Sequence, residues 1–122
     1  MLSLRNYTRV EISLPLNSIT LPKSRDIIAT LNDKFGGITH TKIKYPSDFV
    51  GWYIGKKNGK KKLYQEHIIW LMVDVDIEKH PGVEDYFLDF KSARETEFKE
   101  SKLWIICYPV SRFVQEKKKV PK

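Results

Sequence analysis

The chain is poor in cysteine. Cys107 stands alone among 122 residues, so no internal disulfide can form and a thiol-rich zinc site is excluded. A reduced, cytoplasmic setting is the expectation. Long apolar runs are also missing. The runs Ile68 to Val73, which stops at Asp74, and Leu103 to Val110 both fall far short of the roughly 18 residues a membrane-spanning helix needs. The opening Met1-Leu2-Ser3-Leu4-Arg5 has neither the apolar stretch nor the small-residue cleavage site of a signal peptide, so no membrane partner is expected. No internal repeat and no linker-like stretch interrupts the pattern. What remains is 41% hydrophobic and 30% charged, an ordinary globular balance that excludes wholesale disorder. A chain of this size buries roughly two thirds of its unfolded surface without staples.

The net charge of +7 is unevenly spread. Lys56, Lys57, Lys60, Lys61 and Lys62 form one block, and Lys117, Lys118, Lys119 and Lys122 form another at the C-terminal end. Asp74 to Glu100 is acidic, with nine carboxylates against four cations. The body is thus slightly acidic and carries two basic appendages. Such blocks either solubilise or attract anionic partners such as nucleic acid.

Thr8, Val10, Ile12 and Leu14 alternate with Tyr7, Arg9, Glu11 and Ser13, the period of a strand with one apolar face. Ile27, Ile28, Leu31 and Phe35 form the stripe of a helix, with Ser24 as its expected N-cap and Gly36-Gly37 as its end. A phosphate-cradling loop precedes a helix, whereas Gly36-Gly37-Ile38-Thr39 follows one, so these glycines read as a C-cap. Residues 38–48 are weakly patterned.

Asn58-Gly59 suits a two-residue type I′ hairpin turn. Pairing Lys57 with Lys60 places Ile54 opposite Leu63, Tyr53 opposite Tyr64 and Val50 opposite His67. Pro81 is expected at the first position of a second helix, with Val83, Tyr86, Phe87, Phe90 and Ala93 as its apolar stripe. Leu103 to Val110 is apolar on both faces, as in a strand covered from both sides. Pro109 argues for an edge position or a strand end.

The order strand, helix, strand, strand, helix, strand resembles the ferredoxin-like superfamily over about residues 7–114. That resemblance implies an α+β domain with two helices on one face of a four-stranded antiparallel sheet and the first and third strands central. Residues 1–114 then form one domain and 115–122 a basic tail. The length, Gly36-Gly37-Ile38-Thr39, Gly51-Trp52 and Leu103-Trp104-Ile105-Ile106-Cys107-Tyr108 are also similar to small bacterial proteins of unassigned function, some cyanobacterial. The PII-like signalling proteins share the plan and a long second hairpin, but their nucleotide-binding motifs are not legible here.

Helices on one side leave the other sheet face open, and that face is greasy. Tyr53, Tyr64, Ile68, Trp70, Met72, Trp104 and Tyr108 are the candidate subunit interface or ligand face. Tyr64, Trp70 and Tyr108 are candidates to line a pocket. A homodimer with sheets packed face to face is the expected solution. The five lysines of the hairpin are the candidate anion or nucleic-acid contact, with Tyr53 and Tyr64 placed to stack on bases. A dimeric α+β barrel enzyme would need a polar group between sheet and helices, and His67 is the choice for it. Glu66 and His67 are adjacent on a strand and point to opposite faces, so they do not act as a pair.

Asp74 and Asp76 share a face at strand spacing. They are expected to meet a cation such as Arg9 rather than a metal ion. His40, His67 and His80 match no ligand spacing, and Cys107 reads as an inert small hydrophobe. No catalytic group, metal or cofactor is expected. The leading expectation is a homo-oligomeric binding or regulatory module, with a nucleic-acid-binding accessory protein and a small enzyme as alternatives.

Overall fold

A computed structural model describes residues 1–17, 20–98 and 103–115. The first strand, β1, runs Leu2–Pro15, longer at its start than the alternation predicts. It is followed by α1 (Leu21–Phe35), β2 (Thr39–His40), β3 (Phe49–Lys57), β4 (Lys60–Asp76), α2 (Val83–Phe98) and β5 (Trp104–Gln115). All strand pairs are antiparallel. The order across the sheet is β2-β4-β1-β5, with β3 also on β4. The two central strands are β1 and β4, as the ferredoxin-like plan requires.

The sheet nevertheless has five strands rather than four. The second strand of the plan is broken in two, and both pieces use the same edge of β4. β3 pairs with residues 60–68, and β2 pairs only at Leu71 and Met72. Between the two pieces residues 41–48 form no strand. Pro46 supplies no N–H to a ladder. The Ser47 hydroxyl donates to the carbonyl of Ile68 and accepts from the N–H of Phe49, a side-chain bridge where backbone pairing would otherwise run.

The hairpin follows its expected register. Lys57 faces Lys60, Ile54 faces Leu63, Tyr53 faces Tyr64 and Val50 faces His67. Asn58 at φ 53° and Gly59 at φ 77° both take the left-handed conformation that a type I′ turn needs.

The core lies between the sheet and the helices. Val10, Ile12 and Leu14 of β1, with Ile69, Leu71, Val73 and Val75 of β4, form its floor. Ile27, Ile28 and Leu31 of α1 and Val83, Phe87 and Phe90 of α2 close it. Phe35 joins the layer edge-on to Tyr86 and stacked on Phe87.

Both helix starts differ from expectation. α1 begins at Leu21, with Pro22 in its first turn, where a missing N–H costs nothing. Ahead of it, Thr20 N–H donates to Asn17 Oδ1 and Asn17 N–H donates to Thr20 Oγ1, each at 2.9 Å. Ser24 is therefore not the cap. It is buried inside the helix, and its hydroxyl has no partner among the described residues. α2 begins at Val83, two residues after Pro81, and the Tyr86 N–H donates to the carbonyl of Gly82. Ala93 is exposed rather than part of the stripe. Gly36 does end α1, at φ 75°, donating to the carbonyl of Asn32.

β5 is an edge strand, which accommodates Pro109 opposite Thr8. The described residues do not cover it on both sides: Trp104 and Ile106 are exposed on the side away from the helices. No described helix is long and apolar enough to cross a membrane.

Candidate functional site

The face of the sheet turned away from the helices divides into two halves. The registers set the division. Trp70, Ser13 and Trp104 lie abreast, and so do Met72, Glu11 and Ile106. One step further come Asp74, Arg9 and Tyr108, then Asp76, Tyr7 and Val110, and beyond them Arg5 stands opposite Arg112. Apolar side chains dominate the first rows and charges the later ones.

In the apolar half, Trp104 is 70% and Ile106 56% exposed. Phe49 is exposed beside half-buried Ile68, Trp70 and Met72. These are the residues the sequence assigns to an interface, and the structure brings Ile68, Trp70, Met72 and Trp104 onto one surface. Tyr64 is not with them. It sits six residues from Trp70 along β4, about 20 Å away at strand rise. Its ring lies over Gly55, where an added Cβ would come within 2.8 Å of it. Tyr108 is four residues beyond Trp104, in the charged half. Tyr64, Trp70 and Tyr108 are thus strung along the face and do not converge on one pocket. The backbone of Tyr53 pairs with Tyr64.

In the charged half, Arg9 donates from Nε and Nη2 to the two oxygens of Asp74, at 2.7 and 3.0 Å. Arg112 reaches the same carboxylate at 3.4 Å and lies over the Tyr7 ring, 5.1 Å from its centre. Arg5 bridges Asp76 at 3.4 Å and Glu78 at 2.9 Å. The hydrogen bond to Asp74 holds the Arg9 guanidinium well above its ordinary pKa. The Tyr108 hydroxyl donates to Glu11 at 2.7 Å, and that bond, with burial second, pushes its pKa up. Asp74 and Asp76 therefore do what their spacing predicts: they meet arginines. Among the described residues, no group of three or more His, Cys, Asp or Glu is arranged to hold a metal ion.

Beside these arginines opens a concavity of about 610 Å³. Arg5, Arg9, Arg112 and Lys79 line it together with His80 and the Gly36-Gly37-Ile38-Thr39 turn. Sequence reasoning assigned that turn to capping alone. It caps, and it also forms a wall. Arg5 and Arg112 escaped sequence reasoning because they are 107 positions apart in the chain and meet only through the β1–β5 register.

His67 is half-buried on the helix side of β4. Its Nδ1 accepts the N–H of Ser47 at 3.2 Å, and its ring packs edge-on against Tyr45. It ties down the segment between β2 and β3 and does not line the arginine-rich concavity. His40 Nδ1 lies 2.7 Å from the Thr41 carbonyl, and His80 packs on Phe35. Cys107 is exposed rather than packed away as a small hydrophobe, and desolvation by its neighbours raises its thiol pKa.

The five hairpin lysines are exposed, and Lys62 Nζ lies 5.3 Å from the centre of the Tyr64 ring. The lysines at 117–119 and 122 lie outside the described residues.

No protein-family model and no curated protein matches the chain. Among solved structures, CPII, a nitrogen regulatory PII-like protein from Thiomonas intermedia K12 bound to ADP, AMP and bicarbonate, is similar at 18% identity, over 90% of this chain and 98% of that one, with a TM-score of 0.46. A likeness that shallow adds nothing to the topology described above.

Proposed function

We propose that this protein is a self-associating binding module without catalytic chemistry of its own, and that the apolar half of the open sheet face is where copies meet. The observation that carries the reading is the row of large apolar side chains, Trp104 and Ile106 beside Trp70 and Met72, that no described element covers. Covering ~600 Å² of such surface contributes on the order of 15 kcal/mol before association costs. A flat sheet face related to itself by a two-fold axis satisfies both copies at once. The enzyme reading loses support because His67, its only candidate group, is engaged by Ser47 and Tyr45.

The test is the double variant Trp104→Glu, Ile106→Glu. Both residues are exposed in the protomer, so folding is expected to survive and circular dichroism to be unchanged. Self-association should be lost in sedimentation velocity. A variant that sediments like the parent removes this face as the interface.

A second reading, nucleic-acid binding, is favoured by one observation, the five exposed lysines around the β3–β4 turn. If all five contact phosphates, log K falls against log[salt] with a slope of about −4 to −5. Five Lys→Gln changes should flatten it, and an unchanged slope discards the reading.

A further inference from the structure

The concavity beside β1 and β5 combines features that the subunit-interface reading does not use. Three guanidinium groups, Arg5, Arg9 and Arg112, border it, with Lys79 at the rim. Two carboxylates, Asp74 and Asp76, border it as well, so the lining carries a formal excess of two positive charges. The depth of the two signs differs. The Asp74 and Asp76 side chains are only 9% and 11% exposed, whereas those of Arg5, Arg9 and Arg112 are 37%, 30% and 48% exposed.

The acids therefore form a floor and the arginines stand above it. Asp74 accepts both N–H donors of Arg9 and fixes its plane, and Asp76 pairs with Arg5 at 3.4 Å, while the exposed Glu78 also holds Arg5 at 2.9 Å and is the carboxylate an incoming anion would displace. Arg112 is the least committed. Its contact to Asp74 is long, and its plane rests on Tyr7. Lys79 makes no ion pair among the described residues. A guanidinium held from behind by a carboxylate is preorganised to take an oxyanion in front, through paired N–H donors. Phe35, Ile38 and Met72 supply apolar wall on another side, and a space of about 610 Å³ exceeds what an inorganic ion fills.

The geometry points to a binding site for a small organic oxyanion, a phosphate- or carboxylate-bearing metabolite whose charged group sits against Arg5, Arg112 and Lys79 and whose body rests on Phe35 and Ile38. Every charged group of the site comes from one protomer, and only Met72 is shared with the proposed subunit interface. Phosphate and carboxylate share the recognition chemistry, and the assay below separates them.

The full-length chain is titrated with inorganic phosphate in one arm and succinate in the other, at ionic strength held constant with sodium chloride. Melting temperature and NMR amide shifts are read together. At least one anion should raise the melting temperature in proportion to log concentration, reaching about 10 °C at a hundredfold excess over Kd. The amide signals of Gly36 and Gly37 should move in the same titration. The arm with the tighter Kd names the charged group. Arg112→Gln and, separately, Arg5→Gln should weaken binding about tenfold or more, while Lys60→Gln with Lys61→Gln leaves it unchanged. The amide shifts are read on the unmodified chain, so they decide the matter even if an arginine variant fails to fold. Absence of a concentration-dependent rise with either anion overturns the site. So does a rise without movement at Gly36 and Gly37, or one lost equally in the hairpin variant.

Discussion

Leu71 and Leu63 offer a controlled comparison. They are the same residue on the same strand, eight positions apart and so on the same face. Leu71 lies on the part of β4 covered by the helices, opposite Ile12 and His40, and is 1% exposed. Leu63 lies on the projecting hairpin, opposite Ile54, and is 60% exposed. Truncating Leu71 to Ala removes buried methyl groups and leaves a cavity in a closely packed layer, a cost of about 2–5 kcal/mol. In a domain of this size that lowers the melting temperature by about 8–20 °C. Truncating Leu63 to Ala forfeits only the buried minority of its surface, less than about 1 kcal/mol. Urea denaturation of both variants at one fixed protomer concentration measures the difference, with the m-value checking that each unfolds as the parent does. Equal losses would refute the division of β4 into a covered and an open half.

Two further outcomes follow from single residues. Gly59 is at φ +77° with nothing within 4 Å of an added Cβ, so Gly59→Ala is penalised by backbone conformation alone. A cost of about 1–2 kcal/mol should accelerate amide exchange in residues 50–67 roughly 5–30-fold and leave α1 and α2 unaffected. Tyr108 keeps its proton longer in the native state than in the unfolded chain, because its hydroxyl donates to Glu11. The contribution of that bond to stability is therefore present below the ordinary tyrosine pKa and is lost as pH rises through the native one. In a titration followed by phenolate absorbance, Glu11→Ala should remove this late-titrating tyrosine; an unchanged curve contradicts the assignment.

The elements that sequence reasoning located best are those whose local chemistry leaves one solution. Asn58-Gly59 admits left-handed conformations at both turn positions, and once the turn is fixed every pair along the hairpin follows. Alternation located the centre of β1 but not its first residues, because Leu2 to Asn6 pair with β5 across more than a hundred residues of chain. The split of the second strand was illegible because β2 contributes only two residues to the ladder. Serine favours the cap position, which points to Ser24, yet Pro22 and the reciprocal Asn17–Thr20 bonds fix the start earlier. For the site, Arg9 against Asp74 was legible from strand parity. Arg5 and Arg112 were not, since no local pattern reports a register set by the whole sheet. The greasy open face was legible in outline, but the distances along it, which separate Tyr64 and Tyr108 from Trp70, came only with the strand lengths.

The central claim is that the uncovered half of the sheet face brings copies of the chain together. Sedimentation equilibrium of the wild-type protein at micromolar concentration tests it most directly. A mass of at least twice 14.4 kDa is expected. A single stable species of 14.4 kDa across that concentration range would contradict it.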